Sequence, residues 1–190
     1  MPDEIARRLV HASGTGFPAL YLLDLTSWQT VQSLLVLGAG VALALEAIRL
    51  LVGLDWAIYD RLTREYEQDN LAGYALYLVS AAGVALLVPR FVAIPAILML
   101  TIGDPVSGLL GSGNLTKEAY VLLAMFGVCT GIGSFFVGWL AAALGGLAAT
   151  AADGLKPVIA GYVLDDNLTI PPAAAAAMLV GIELMTMLSL

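Results

Sequence analysis

Apolar residues run through this chain in long blocks, interrupted by short clusters of charged residues, proline, glycine and asparagine. Read together with turn signals, the blocks predict membrane-spanning helices near Leu9 to Leu25, Gln29 to Leu54, Leu71 to Val88, Phe91 to Gly111, Ala119 to Gly138, Leu140 to Asp153 and Leu168 to Leu190. The breaks fall at Asp24 to Trp28, Asp55 to Asn70, Pro89-Arg90, Gly113-Asn114 and Lys156 to Pro172. In the segment Asp55 to Asn70, Trp56, Tyr59, Leu62 and Tyr66 alternate with Asp60, Arg61, Arg64, Glu65 and Glu67. That pattern reads either as a short amphipathic helix on a membrane surface or as a solvated connector.

Composition supports the same solvent. The chain is 60% hydrophobic and 12% charged, where a soluble domain carries about 25% charge. A bilayer core takes about 20 apolar residues per helix, so 190 residues supply the spans and little else. The expected fold class is therefore all-α, a polytopic membrane bundle of about seven transmembrane helices in a single integral membrane domain covering residues 1–190. The 20 glycines suit close approach between membrane helices. The first apolar stretch follows Arg7 and Arg8 without an A-x-A-like cleavage site and reads as retained. A net charge of -7 argues against nucleic acid as a partner. The single cysteine, Cys129, lies among apolar residues and reads as a buried, inert thiol.

With these spans, Arg7, Arg8, Arg61, Arg64, Lys117 and Lys156 share one face, Arg49 snorkels toward it, and Arg90 stands opposite. The positive-inside rule then puts the N-terminus in the cytoplasm of a multi-pass cell-membrane protein, with its functional face cytoplasmic.

Ionisable groups inside apolar helices need a partner or a task. Asp104, Ser107, Gly108 and Gly111 are spaced i, i+3, i+4 and i+7 on one helical face, where Pro105 predicts a kink or unwinding. Gly146, Ala149, Thr150 and Asp153 share a second face, with Lys156 one turn on as an ion-pair partner. Asp165-Asp166-Asn167 then opens the last span, with Asn167 or Asp166 as N-cap and Pro171 in the first turn. His11 faces the same end, with Arg7 and Gly14 on its side of the helix. Glu46 and Arg49 read as a self-satisfying pair, and Glu183 has no evident partner in sequence. Several carboxylates and a lysine at one mouth of a glycine-rich bundle suit Mg²⁺ carrying nucleotide phosphates, because Mg²⁺ prefers oxygen ligands. Phosphoryl transfer depends on such charge neutralisation. No Walker A motif or kinase catalytic loop is present.

Arg7-Arg8-Leu-Val-His11 with Gly14, Gly103-Asp104-Pro-Val-Ser-Gly108 and Asp165-Asp166-Asn167-Leu-Thr-Ile-Pro171 together resemble the polyprenol kinase family, which includes dolichol kinase, phytol kinase and CTP-dependent diacylglycerol kinase. The archaeal dolichol kinase-like members are the most similar in this reading. The resemblance implies transfer of the terminal phosphate of a nucleotide, CTP in most members, to an isoprenoid lipid alcohol, with Mg²⁺ or another divalent cation. It implies Asp104 and Asp166 as the leading catalytic carboxylates and metal ligands; by position Asp153 and Asp165 join them as candidate metal ligands, and Lys156, Asn167, Ser107, Gly108 and His11 as candidate contacts to nucleotide and cofactor. One departure is visible: the lysine-rich loop common after the Gly-Asp segment is compressed here to Asn114-Leu-Thr-Lys117-Glu118-Ala-Tyr120. Two other readings stand beside the kinase, a CTP-dependent cytidylyltransferase forming a CDP-lipid and a small transporter or non-catalytic membrane partner. Oligomeric state is not legible.

Overall fold

In a computed structural model, residues 8–9, 11–53, 70–111, 117–155, 158–159 and 162–188 are described. Residues 11–13 form a helical turn that breaks at Gly14 and Thr15 before α1 (Gly16–Leu22). The predicted first span is thus two short pieces. Gly14 packs directly on Tyr77, whose hydroxyl donates to the Gly14 carbonyl at 3.2 Å, and a Cβ at Gly14 would lie 2.5 Å from that hydroxyl. α2 (Trp28–Val52) starts where the Ser27 side chain accepts the Thr30 N–H at 3.2 Å and ends on Gly53 at a left-handed φ of 72°, the usual chemistry at each end of a helix.

α3 (Gly73–Leu87) is followed by α4 (Arg90–Leu98), a π-helical turn (Met99–Gly103) and α5 (Asp104–Leu110), which together form one continuous 21-residue helix. The expected kink takes the form of that wide turn, directly N-terminal to Pro105. In a regular α-helix the proline ring would press on the Thr101 carbonyl, and a π turn relieves the crowding. α6 (Ala119–Ser134) and α7 (Trp139–Gly154) form the next pair. A two-residue antiparallel ladder, β1 (Val158–Ile159) with β2 (Tyr162–Val163), interrupts an otherwise helical chain before α8 (Asp166–Leu188).

The α4–α5 helix is the centre of the bundle: Val92, Ala93, Ala96, Ile97, Met99 and Leu100 have no exposed surface. Around it, α7 packs on α6 and α8 through small residues. A Cβ on Gly181 would come within 2.5 Å of the Ala141 backbone, and one on Gly145 equally close to Met178. Backbone does not yield as a side chain can, so Gly181→Val should separate α7 from α8 and cost about 1–3 kcal/mol or more. A fall in the midpoint of thermal unfolding in detergent measures it, and an unchanged midpoint would contradict this packing.

Trp28–Val52, Arg90–Leu110 and Asp166–Leu188, of 25, 21 and 23 residues, are long and apolar enough to cross a membrane. α3, α6 and α7 have 15, 16 and 16 residues. Glu46, fully buried on α2, holds more than its expected partner. Its carboxylate takes Arg49 at 2.6 Å, the Ala72 N–H at 2.9 Å and the Tyr74 hydroxyl at 2.7 Å, tying α2 to the start of α3. Cys129 is buried. Glu183 is exposed and lies toward the C-terminal end of α8. The amphipathic segment read at Asp55 to Asn70 lies outside the described residues except for Asn70, as do Arg7 and Lys156.

Candidate functional site

Proline and local capping set the entrance to α8. Asp165 is the cap: its Oδ1 accepts the Asn167 backbone N–H at 2.9 Å and the Asn167 side-chain amide at 2.6 Å, and its carbonyl accepts from Leu168 and Thr169. The cap therefore falls one residue before Asp166 and two before Asn167, the positions expected from sequence, because the helix begins at Asp166. Pro171 and Pro172 then sit inside α8, where each removes an N–H that would bond four residues back. The Leu168 carbonyl freed by Pro172 is taken by the Ser80 hydroxyl of α3 at 2.9 Å, which keeps a buried polar group paired.

This register turns Asp166 inward, where it meets Asp104 at the start of α5 and Asp153 on the last turn of α7. One carboxylate oxygen from each lies within 4.8 Å of the others. Asp153 and Asp166 are buried, at 0% and 1% exposure, and Asp104 is half-buried. Three residues separated by up to 62 positions thus share one small volume (166 − 104 = 62). Asp165, committed to the cap, is outside that group of three.

Cations and donors surround the carboxylates. Lys117, just ahead of α6, donates to Asp153 Oδ1 at 2.5 Å and to the Ser107 hydroxyl at 2.8 Å, while Ser107 donates to Asp153 Oδ2 at 2.6 Å. His11 Nδ1 is 3.8 Å from Asp104 Oδ2. The Arg8 guanidinium lies over Gly108, where a Cβ would sit 2.6 Å from a guanidinium nitrogen. Gly108 is one turn from Asp104, so its bare backbone admits Arg8 to the carboxylate face. The first turn of α8 adds its partial positive charge.

Of the residues expected from sequence, Asp104, Asp153, Asp166, Ser107, Gly108 and His11 converge, Asn167 sits behind them beside its cap, and Lys156 is outside the described residues. Lys117 and Arg8 are members of the site to which the sequence assigned no role, although Arg8 stands in the Arg7-Arg8-Leu-Val-His11 motif. The signal for Lys117 was present, since it is the lysine left in the compressed loop. Removing its charge leaves a buried carboxylate without its ammonium, which is costly. Lys117→Met should lower the thermal midpoint by the equivalent of about 3–5 kcal/mol. Thermal unfolding of the purified variant checks this, and an unchanged midpoint would mean that the ion pair with Asp153 contributes nothing to stability.

The carboxylates fit a divalent cation. Mg²⁺ binds oxygen at about 2.1 Å, so two ligands on one ion stand no more than about 4.2 Å apart, and oxygens within 4.8 Å need an inward movement of well under 1 Å. The donor set is all oxygen, and the buried Asn167 Oδ1 accepts no hydrogen bond among the described residues. Compared with known proteins, the chain matches no family model, no curated protein and no solved structure.

Proposed function

We propose that this protein is a membrane-embedded lipid kinase that moves the terminal phosphate of a nucleotide, CTP by preference, to an isoprenoid alcohol at the cytoplasmic face. The observation that carries this reading is the convergence of Asp104, Asp153 and Asp166 with Lys117 and Arg8 at one end of the bundle. Buried carboxylates held together at such cost need a cation, and phosphoryl transfer needs charge neutralised more than it needs covalent help.

The membrane setting rests on the outer surface. Leu37, Val41 and Leu51 on α2, Leu87 on α3, Leu123 on α6 and Leu188 on α8 are exposed, a surface that lipid solvates and water does not. In this reading seven helical segments alternate across the bilayer from a cytoplasmic N-terminus. Among the described residues Arg8, Arg49 and Lys117 then fall on the inner side, and Arg90, stacked over Tyr21 at 5.6 Å, on the outer. Asp104 lies about 9 Å above the inner end of α5, six residue steps at about 1.5 Å each, deep enough to meet the hydroxyl of a lipid that stays in the membrane.

Asp104, Asp153 and Asp166 would hold a divalent cation, which would supply neutralisation of the phosphate oxygens. Lys117 and Arg8 hold the phosphates, and Ser107 orients Asp153. The lipid oxygen attacks the terminal phosphorus, the bond to the bridging oxygen breaks, the nucleoside diphosphate leaves, and the alcohol proton passes to a carboxylate. The test is incubation of purified protein with Mg²⁺, nucleotide labelled in the terminal phosphate, and a panel of lipid alcohols and lipid phosphates. Labelled lipid phosphate with a nucleoside diphosphate is the expected product pair. Pyrophosphate with a nucleotide-linked lipid would reassign the site to cytidylyl transfer, and no transfer with any lipid would overturn both.

A further inference from the structure

The helix at the centre of the bundle widens immediately before its functional carboxylate. Between α4 and α5 the backbone takes the π-helical turn Met99–Gly103, and such a turn holds one residue more than the α-helix on either side would. Asp104 follows directly, with Pro105 next to it. The turn is packed from two sides. Met99, Leu100, Thr101 and Gly103 are buried, and Ile102 alone of the five keeps some exposed surface. The Cys129 thiol of α6 donates to the Met99 carbonyl at 3.8 Å, and a Cβ on Gly103 would lie 2.8 Å from the Cys129 sulfur. From the N-terminal side the Thr15 hydroxyl donates to that of Thr101 at 3.0 Å.

The consequence is one of register. Each residue turns an α-helix by about 100°, so one surplus residue decides where everything beyond it points. With the surplus taken up in the wide turn, Asp104 faces where the residue before it would face on an unbroken α-helix. Closing the turn would swing α5 by about 100°, and at a side-chain radius of about 5 Å that carries a carboxylate about 8 Å. One oxygen each of Asp104, Asp153 and Asp166 now lies within 4.8 Å of the others, so the swing would take Asp104 out of the group. It would also part the Ser107 hydroxyl from Asp153, which it meets at 2.6 Å. The rotation would fall on α5 and not on α4: Val92, Ala93, Ala96 and Ile97 have no exposed surface, whereas Leu109 is 69% exposed.

An α-helical turn at this place is opposed by the proline ring, which would press on the Thr101 carbonyl four residues back. We propose that Pro105 is a positioning residue of the site: its ring holds the turn open, and the open turn aims Asp104 at Asp153 and Asp166. The inference rests on the cation site of the kinase reading and adds what keeps that site assembled. The ring carries no ligand group, so Pro105 acts through Asp104.

The experiment uses the full chain in nanodiscs and compares wild type, Pro105→Ala, and Pro105→Ala with Ile102 deleted. Spin labels on Leu109→Cys and on either Leu51→Cys of α2 or Leu123→Cys of α6, all exposed positions, report the register of α5, the native Cys129 being buried. Titration with Mn²⁺ reports the site. In Pro105→Ala the turn should close: the label distances shift by several ångströms, Mn²⁺ affinity falls by about tenfold or more, and phosphate transfer falls with it. Deleting Ile102 removes the surplus residue, so an α-helix then points Asp104 as the wide turn did, and distances, Mn²⁺ affinity and transfer should recover. A proline that served stability alone would not be repaired by losing a second residue. The same recovery carries the test should Pro105→Ala aggregate. Label distances and Mn²⁺ affinity unchanged in Pro105→Ala, or a deletion that recovers nothing, would overturn the proposal. Shifted distances with undiminished Mn²⁺ affinity would overturn it as well, since Asp104 would then need no aiming. Shifted distances in a protein whose wild type binds no Mn²⁺ would fault the kinase reading alone.

Discussion

Asp104→Asn and Asp166→Asn should each reduce phosphate transfer by about 10²–10³-fold or more while the protein still inserts and folds. Asparagine keeps the size and one oxygen of the side chain, so packing at the start of α5 and α8 is preserved and only charge is lost. A cation on the three carboxylates, as proposed, would lose a third of its carboxylate charge, and divalent affinity should fall by at least about tenfold on the scale of coordination defects. Loss of fixed charge aimed at the reacting phosphate carries the rate effect. Measuring Mn²⁺ binding beside transfer separates the two contributions. Variants that turn over at the wild-type rate, with undiminished Mn²⁺ affinity, would dismiss the proposed site. Asp165→Asn is the internal comparison, since asparagine still caps a helix and Asp165 is engaged in capping; its effect on Mn²⁺ binding should be small.

The second large effect is structural. Glu46→Ala removes the acceptor for Arg49, the Ala72 N–H and the Tyr74 hydroxyl together, leaving a guanidinium only 9% exposed without its counter-ion. Removing one partner of a buried pair costs about 3–5 kcal/mol, a large part of the stability of a domain of this size. The variant should show a much lower unfolding midpoint in detergent and early proteolysis between α2 and α3. Glu46→Gln, which keeps an acceptor oxygen but not the charge, should fall between it and wild type. Equal stability of all three would mean that the α2–α3 junction is held by apolar packing alone.

The two carboxylate clusters differ in what they lack. Glu46 has four donors converging from Arg49, Ala72 and Tyr74, so its charge is matched within the protein. The Asp104, Asp153 and Asp166 group has the Lys117 ammonium bound to one member and Arg8 and His11 alongside. Its remaining negative charge is what a metal-nucleotide complex would complete.

Much of this was legible along the chain, because apolar blocks and turn residues act over a few residues at a time. The main helices begin and end close to the predicted points, with Trp28–Val52 against Gln29 to Leu54 and Asp166–Leu188 against Leu168 to Leu190. The acidic positions 104, 153 and 166 also stood out in sequence, since carboxylates are costly in apolar helices. What depended on long-range packing was not legible. The break at Gly14 comes from Tyr77, 63 residues away. The π turn before Pro105 and the cap on Asp165 are choices among local alternatives that sequence leaves close in energy. Lys117, 36 residues away, is the partner that Asp153 has among the described residues, while Lys156 lies outside them.

Composition and hydropathy by themselves determined a predominantly helical chain with an apolar exterior and a few acidic groups that demand company, because burial and solvent preference are properties of each residue and its near neighbours. Only tertiary structure decided which groups keep that company. Carboxylate pairing and lysine choice fall off over a few ångströms of space, and no rule of spacing along the chain measures the distance between the ends of three different helices.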